Sequence, residues 1–394
     1  MIQNTLATVM VLLGIEAVVL WSSRQARFQG FFKYIPPVFW IYFLPMLAST
    51  VGLLDPEHPV YQKLINNLLP ASLVILLMVV DIKAILKLGR TALFMFFAGS
   101  FGMMLGTVVS FFIFKGWVGA EFWAGFGALS GSWTGGSANM VAVKEAIGTP
   151  DAVFAPMVVV DTVVPYCWMG ILVAFAGMQP LYDRWNNSDR RVLDYLSRRV
   201  EPAVGSPSQK LTLKKTVLIF AISAVAALAA KSAAQIFPEI KGVVTAYAWT
   251  VIFASTIGIA LSFTPVSRLE SAGASRIGYA LLYFVLTAIG AKASLADMGQ
   301  AVVLIAAGFC IVAVHAAVLI FAGRLVRAPL FLAAVASQAN LGGVASAPVV
   351  AEIYQPGLAS VGLLLAILGN IMGTYVGILT AQLCRAVAFF NPGG

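Results

Sequence analysis

The chain reads as an all-α polytopic membrane protein made of two structural repeats, each with one discontinuous helix. Three observations predict this. Hydrophobic residues make up 60% of the 394 residues and charged ones only 10%, with a mean hydropathy of +0.92. A soluble domain carries about 25% charged residues. Apolar segments of membrane length recur from end to end. Two of them are broken at matching places by glycine pairs set among small polar residues.

Segments of about 17–25 apolar residues are long enough to cross a bilayer as helices. In the first half they fall near 5–21, 35–54, 64–82, 91–114, 122–147 and 152–177. In the second half they fall near 214–236, 243–262, 277–292, 299–323, 329–354 and 357–385. No basic residue precedes Leu6–Trp21 and no small-residue cleavage site follows it, so it is expected to be a retained helix. Between the halves, 178–213 is polar and basic. It holds Arg184, Arg190, Arg191, Arg198, Arg199 and Lys210, with Asp183, Asp189, Asp194 and Glu201 among them. It is expected to link a first repeat, 1–177, to a second, 214–394, with a short surface helix near 189–200.

The two breaks are Ser130-Gly131-Ser132-Trp133-Thr134-Gly135-Gly136-Ser137-Ala138-Asn139 and Ser337-Gln338-Ala339-Asn340-Leu341-Gly342-Gly343-Val344-Ala345-Ser346. Superimposing the glycine pairs gives an offset of 207 residues, which also pairs Ser130 with Ser337, Ala138 with Ala345 and Glu145 with Glu352. Charge speaks to orientation, because cytoplasmic loops collect Lys and Arg. Arg24, Arg27 and Lys33, then Lys83, Lys87 and Arg90, mark inside loops, with Asp55 and Glu57 between them. Segment 64–82 therefore runs inward. Its counterpart 277–292 follows Arg268 and Arg276 and runs outward. The charges favour inverted repeats, whereas six spans per half would make them parallel. The local charges carry more weight than the helix count.

The formal net charge of +9 sits in short loops between apolar segments, which points to membrane topology and away from nucleic acid. Cys167, Cys310 and Cys384 have no metal-ligand spacing. The sequence holds no phosphate-binding loop, metal-ligand cluster or nucleophile elbow. The expectation is a protein that is not an enzyme and holds no cofactor or metal.

A backbone that unwinds inside the membrane survives only where protein or a cavity satisfies its polar groups. Paired interruptions in two halves are the best sequence pointer to a transporter's binding site. The half-helix ends carry about half a unit charge, positive where N–H groups are exposed and negative where carbonyls are. Glycine lets a ligand approach the backbone, so Gly135, Gly136, Gly342 and Gly343, with Trp133 and Ser346, are the candidate solute contacts. Ser130, Thr134, Ser137, Asn139, Ser337, Gln338 and Asn340 supply uncharged oxygens suited to a partly dehydrated sodium ion. Asp161 lies in the apolar run Met157–Val164. A carboxylate at that depth is a functional candidate by default, either exchanging a proton or binding sodium. Asn370 lies two residues from the position equivalent to Asp161 and is its polar counterpart. The competing reading of the glycines is tight helix packing through small residues. His315 reads as a satisfied buried histidine rather than a proton relay.

At Gly131–Asn139 and Ala339–Gly343 the chain resembles the YjcL-like membrane proteins, domain of unknown function 819, over nearly its full length. That family is similar to the bile acid:sodium symporters, glutamate:sodium symporters and cation:proton antiporters. The resemblance implies inverted repeats whose unwound helices cross in a core domain, the core moving against a dimerisation domain. It implies a homodimer. Asp161 resembles the antiporters' aspartate, but their basic residue in the matching late helix has no counterpart here, which favours sodium-coupled symport. The leading expectation is therefore a multi-pass transporter of the cell (cytoplasmic, inner) membrane. It would move a small, anionic organic solute with sodium, or with a proton, by an elevator-like alternating access. A cation:proton antiporter using Asp161, and a non-transporting membrane sensor or scaffold, are the alternatives.

Overall fold

In a computed structural model that describes residues 2–199, 212–239 and 245–389, almost everything is helix. Glu201 and Lys210 of the linker lie outside the described residues. α1 (Thr5–Ser23) starts where the Asn4 side chain accepts from the Ala7 amide, and buries a stripe of Thr8, Leu12, Glu16 and Val19. Their spacing of three and four residues puts them on one helix face. α2 (Pro37–Thr50) opens on a proline, whose missing N–H costs nothing in a first turn. α3 (Val60–Met78) and the 30-residue α4 (Gly89–Val118) follow, the latter stopped at Gly119 with φ of 100°.

The first broken segment gives α5 (Trp123–Gly135) and α6 (Ser137–Ile147), and α7 (Asp151–Phe175) runs on from it. The linker begins with α8 (Gln179–Asn186) and α9 (Arg191–Arg199). The second half contains α10 (Leu213–Ala234), α11 (Ala246–Ser262), α12 (Ala274–Lys292) and α13 (Ala301–Leu325). Thr212 and Thr245 cap α10 and α11 with their hydroxyls. The second broken segment gives α14 (Leu330–Leu341) and α15 (Gly343–Tyr354), and α16 (Ala359–Phe389) ends the described chain.

Eight of these helices are long and apolar enough to cross a membrane, or ten if two bent pairs count as one span each. The ten are α1–α4, α7, α10–α13 and α16. The four half-helices α5, α6, α14 and α15 are too short to span alone, since 13 residues reach about 20 Å.

The helices pack as two units, and each unit draws on both halves of the sequence. The first unit holds α1–α3, α10–α12 and residues 145–162. Within it α3 packs on α11 and α12, and α2 on α12. Helix backbones come close at glycines: a Cβ on Gly258 would lie 2.9 Å from Leu77 Cβ, and Gly290 sits against the Tyr42 carbonyl. Lys292 pairs with Asp151 at 3.1 Å and donates to Gln62 at 3.3 Å.

Among the described residues the second unit holds 80–144, 163–199 and 303–389. The linker helices α8 and α9 lie at one end of it. Asp183 Oδ1 accepts from Leu330 N at 2.9 Å and so caps α14, whose own N-cap Pro329 has no polar side chain. Asn186 donates to the carbonyls of Gly323 and Ala328, and Asp189 N donates to Arg327 O. Tyr195 of α9 lies on Gly89, the first residue of α4. The start of α4, the end of α13 and the base of α14 therefore share one end of this unit. The first broken segment follows the other end of α4.

Candidate functional site

Both predicted breaks are present, and both are fold-backs rather than bends in a through-going helix. A Cβ on Gly131 of α5 would lie 2.8 Å from Val143 Cγ2 of α6 and 3.3 Å from Asn139 O. Twelve residues of straight helix would separate Gly131 and Val143 by about 18 Å. Gln338 Nε2 of α14 donates to Ser346 Oγ of α15 at 2.8 Å, across eight residues that a straight helix would spread over about 12 Å. Each segment is thus a helical hairpin, and 122–147 and 329–354 are not single spans. Hairpin 1 (α5–α6) has its base at the far end of α4, and hairpin 2 (α14–α15) at the near end, so they point toward each other.

Their tips reach the same level of α4. A Cβ on Gly369 of α16 would meet the Thr134 carbonyl at the first tip and Phe96 Cζ of α4 at 3.4 Å. At the second tip Ser100 of α4 donates to Asn340 Oδ1 at 2.8 Å. Phe96 and Ser100 are one helical turn apart, and Ser100 Oγ also donates to Phe96 O at 3.2 Å.

The four tip glycines do different things. Gly136 has φ 80° and ψ 175°, a backbone reserved for glycine, and only Asn370 Oδ1, at 3.6 Å, lies near its missing side chain. Gly343 has φ 59°, and nothing lies within 4 Å of where a Cβ would be. These two open onto space. Gly135 and Gly342 do not: a Cβ on Gly135 would lie 2.5 Å from Gly369 O, and one on Gly342 would strike Ser346 Oγ and Gln338 Nε2. They are packing glycines, as the competing sequence reading held for all four.

Most of the polar side chains predicted as ion ligands are engaged by protein. Ser130 Oγ donates to Thr380 Oγ1 at 3.1 Å. Asn139 Oδ1 accepts from Thr374 at 2.6 Å, and its Nδ2 donates to Gly135 O and to Asn370 O at 3.3 Å. Asn340 also donates to Ala336 O at 2.9 Å. Ser337 accepts from Trp168 Nε1 at 2.8 Å and lies 2.9 Å from His315 Nε2, while His315 Nδ1 bonds Gly99 O at 2.8 Å. A carbonyl only accepts, so Nδ1 carries a proton. In the neutral ring Nε2 then accepts from the Ser337 hydroxyl, and every polar atom of the fully buried His315 is satisfied.

Three buried polar atoms at the tips have no hydrogen-bond partner among the described residues: Trp133 Nε1, Thr134 Oγ1 and Gln338 Oε1. Trp133 and Thr134 are 0% exposed and Gln338 1%. Turning the Gln338 amide over would exchange which of its atoms is left, and one would remain. A buried polar group with no partner costs about 1–3 kcal/mol, so such atoms call for explanation. Ser137 and Asn370 are half-buried beside Gly136, and Ser346 is the hydroxyl that holds Gln338. Asp161, half-buried in α7, packs with the first unit and is not grouped with the tips. Glu352, at the base of hairpin 2, accepts from Gly357 N at 3.0 Å and closes a turn. Among the described residues no group of three or more His, Cys, Asp or Glu is placed to hold a metal ion.

One feature was missed in the sequence. Gly127, Gly131 and Gly135 of α5 pack antiparallel on Ala381, Gly377, Gly373 and Gly369 of α16, and a Cβ on Gly373 would lie 2.7 Å from Gly135 Cα. The spacing of four in both helices is a small-residue packing signature that was open to view.

The chain is similar to "Uncharacterized membrane protein YjcL" of Bacillus subtilis (strain 168), 26% identical over 352 residues that cover 84% of this chain and 86% of that one. Residues 10–387 match the family described as "Protein of unknown function (DUF819)", so almost the whole helical array, both hairpins included, falls inside the match. With eight helices among the described residues long and apolar enough to cross a membrane, the chain is a multi-pass membrane protein belonging to the DUF819 family.

Proposed function

We propose that the protein is a secondary active transporter that carries a small anionic organic solute with sodium by alternating access. The observation that carries this reading is the pair of opposed hairpins, whose tips reach one turn of α4 and hold three buried polar atoms without protein partners. The solute is taken by the amide ends of α6 and α15, beside Gly136 and Gly343, where the backbone is open. Trp133 N–H and the Thr134 hydroxyl can donate to it, and Gln338 can accept. Asp161 is the carboxylate that answers to the coupling cation, sodium or a proton.

The hairpins also reconcile span count with charge. With each hairpin returning to the side it left and each bent pair counted as one crossing, every half has five crossings. An odd number turns the second half over, which supports inverted repeats. The basic end of the second unit, with α8, α9 and the base of hairpin 2, then faces the cytoplasm of the cell membrane, and hairpin 1 opens outward.

The test is thermal-shift screening of the purified protein against small metabolites in sodium and in potassium, followed by flux in proteoliposomes. A solute that stabilises the protein only with sodium, and whose uptake needs a sodium gradient, is the expected result. Stabilisation by sodium alone that is lost at low pH would make Asp161 the centre of a cation:proton antiporter. Absence of flux under every gradient would leave a sensor or scaffold.

A further inference from the structure

We propose that α9 and the start of α4 form a binding face for the headgroups of anionic phospholipids. α9 lies on the protein by its apolar side, with Leu193 and Leu196 buried in the core of the second unit. Its Tyr195 ring rests on Gly89, the first residue of a 30-residue membrane helix, so the face sits where that helix leaves the bilayer. Lys87 and Arg90 flank Gly89 in the chain, and Arg198 and Arg199 close α9 after Tyr195, all exposed. The Arg199 guanidinium lies 5.3 Å from the Tyr195 ring centre, a stacking distance.

The local acids do not neutralise this cluster. Asp183 and Asp189 are taken by Arg190 and Arg191, at 3.5 and 2.9 Å, and Asp194, exposed on α9, offsets one of the four cluster cations and leaves a surplus of three positive charges. None of Lys87, Arg90, Arg198 or Arg199 is paired with a carboxylate among the described residues. On the same end of the unit Arg324 stacks on Trp185 at 4.9 Å, and that indole is 56% exposed. Exposed tryptophan with basic partners is the pattern of a headgroup layer. Four unpaired cations and a phenol at the membrane surface match a phosphodiester anchored in the leaflet, and their attraction to it grows by a roughly constant amount per cation.

The experiment uses the full chain in neutral detergent, with lipid retention read by native mass spectrometry and by thermal shift. Phosphatidylglycerol, phosphatidylcholine and inorganic phosphate are titrated separately. Phosphatidylglycerol is expected to bind and stabilise, and the other two are not. In the R198Q/R199Q variant, affinity for phosphatidylglycerol should fall about fivefold per arginine. R198K/R199K should restore most of it, which separates loss of charge from misfolding, and K63Q on the first unit should change nothing. Equal stabilisation by phosphatidylcholine, an equal response to free phosphate, or an unaltered double glutamine variant would each overturn the assignment. None of these readings depends on transport.

Discussion

At the scale of single residues, the two glycine pairs divide into one that shapes the tip and one that lets helices touch. At Gly136 the backbone itself is the constraint. Gly136→Ala should cost about 1–3 kcal/mol and lower the unfolding temperature, although there is room for the methyl group. At Gly343 the left-handed backbone is one that asparagine also adopts. Gly343→Asn should therefore unfold close to the parent temperature, and any loss of solute binding would report on access to the tip. Asp161→Asn should leave the fold intact and abolish gradient-driven flux, as measured in proteoliposomes. Unchanged flux would remove Asp161 from the coupling reaction. The sequence announced these residues because charge, amides and glycines are conspicuous in an apolar run. It did not announce that Ser130, Asn139, Ser337 and Asn340 are held by Thr380, Thr374, Trp168, His315 and Ser100. A lone hydroxyl in a helix is unremarkable until its partner, here 22 to 250 residues away, is known.

At the scale of helices, what matters is how a break is used. Glycine and small polar residues mark where a helix stops, but nothing local in them says whether the next helix continues or turns back. That choice is made by contacts such as Val143 on Gly131 and Gln338 on Ser346, which only the fold supplies. The seam between α5 and α16 makes a sharper prediction. Gly373→Ala places a methyl 2.7 Å from Gly135 Cα, whereas Gly170 in α7 has nothing within 4 Å. The first substitution should destabilise by about 1–3 kcal/mol and the second by nothing measurable, in chemical unfolding of the detergent-solubilised protein. Equal responses would contradict the packing. Asp183→Ala removes the cap of α14, contributed by another helix, and should cost about 0.5–2 kcal/mol. Asp183→Asn keeps an accepting oxygen and should cost less.

At the scale of the whole molecule, topology is the open test. Single cysteines placed at Ser197 in α9 and at Glu121 beyond α4, in a chain lacking Cys167, Cys310 and Cys384, should react with an impermeant thiol reagent from opposite sides of the membrane. Ser197 should be reached only from the cytoplasm. Labelling of both from one side would mean that α4 does not cross, and the opposed hairpins would lose their basis. In the sequence the charge asymmetry favours inverted halves, whereas the count of apolar segments favours parallel ones. A segment that dives in and returns has nearly the composition of one that passes through.

The backbone-to-backbone contact along α5 and α16 has a mechanical consequence. Ridges without side chains cannot slip by one rotamer at a time, so those two rods behave as a single stiff jaw. The second hairpin is held by side chains instead: Gln338 on Ser346 ties α14 to α15, and Asn340 and Ser337 tie α14 to Ser100, Trp168 and His315. Hydrogen bonds between side chains can be exchanged one at a time, so under the proposed transport cycle the second tip, not the glycine seam, is where rearrangement begins.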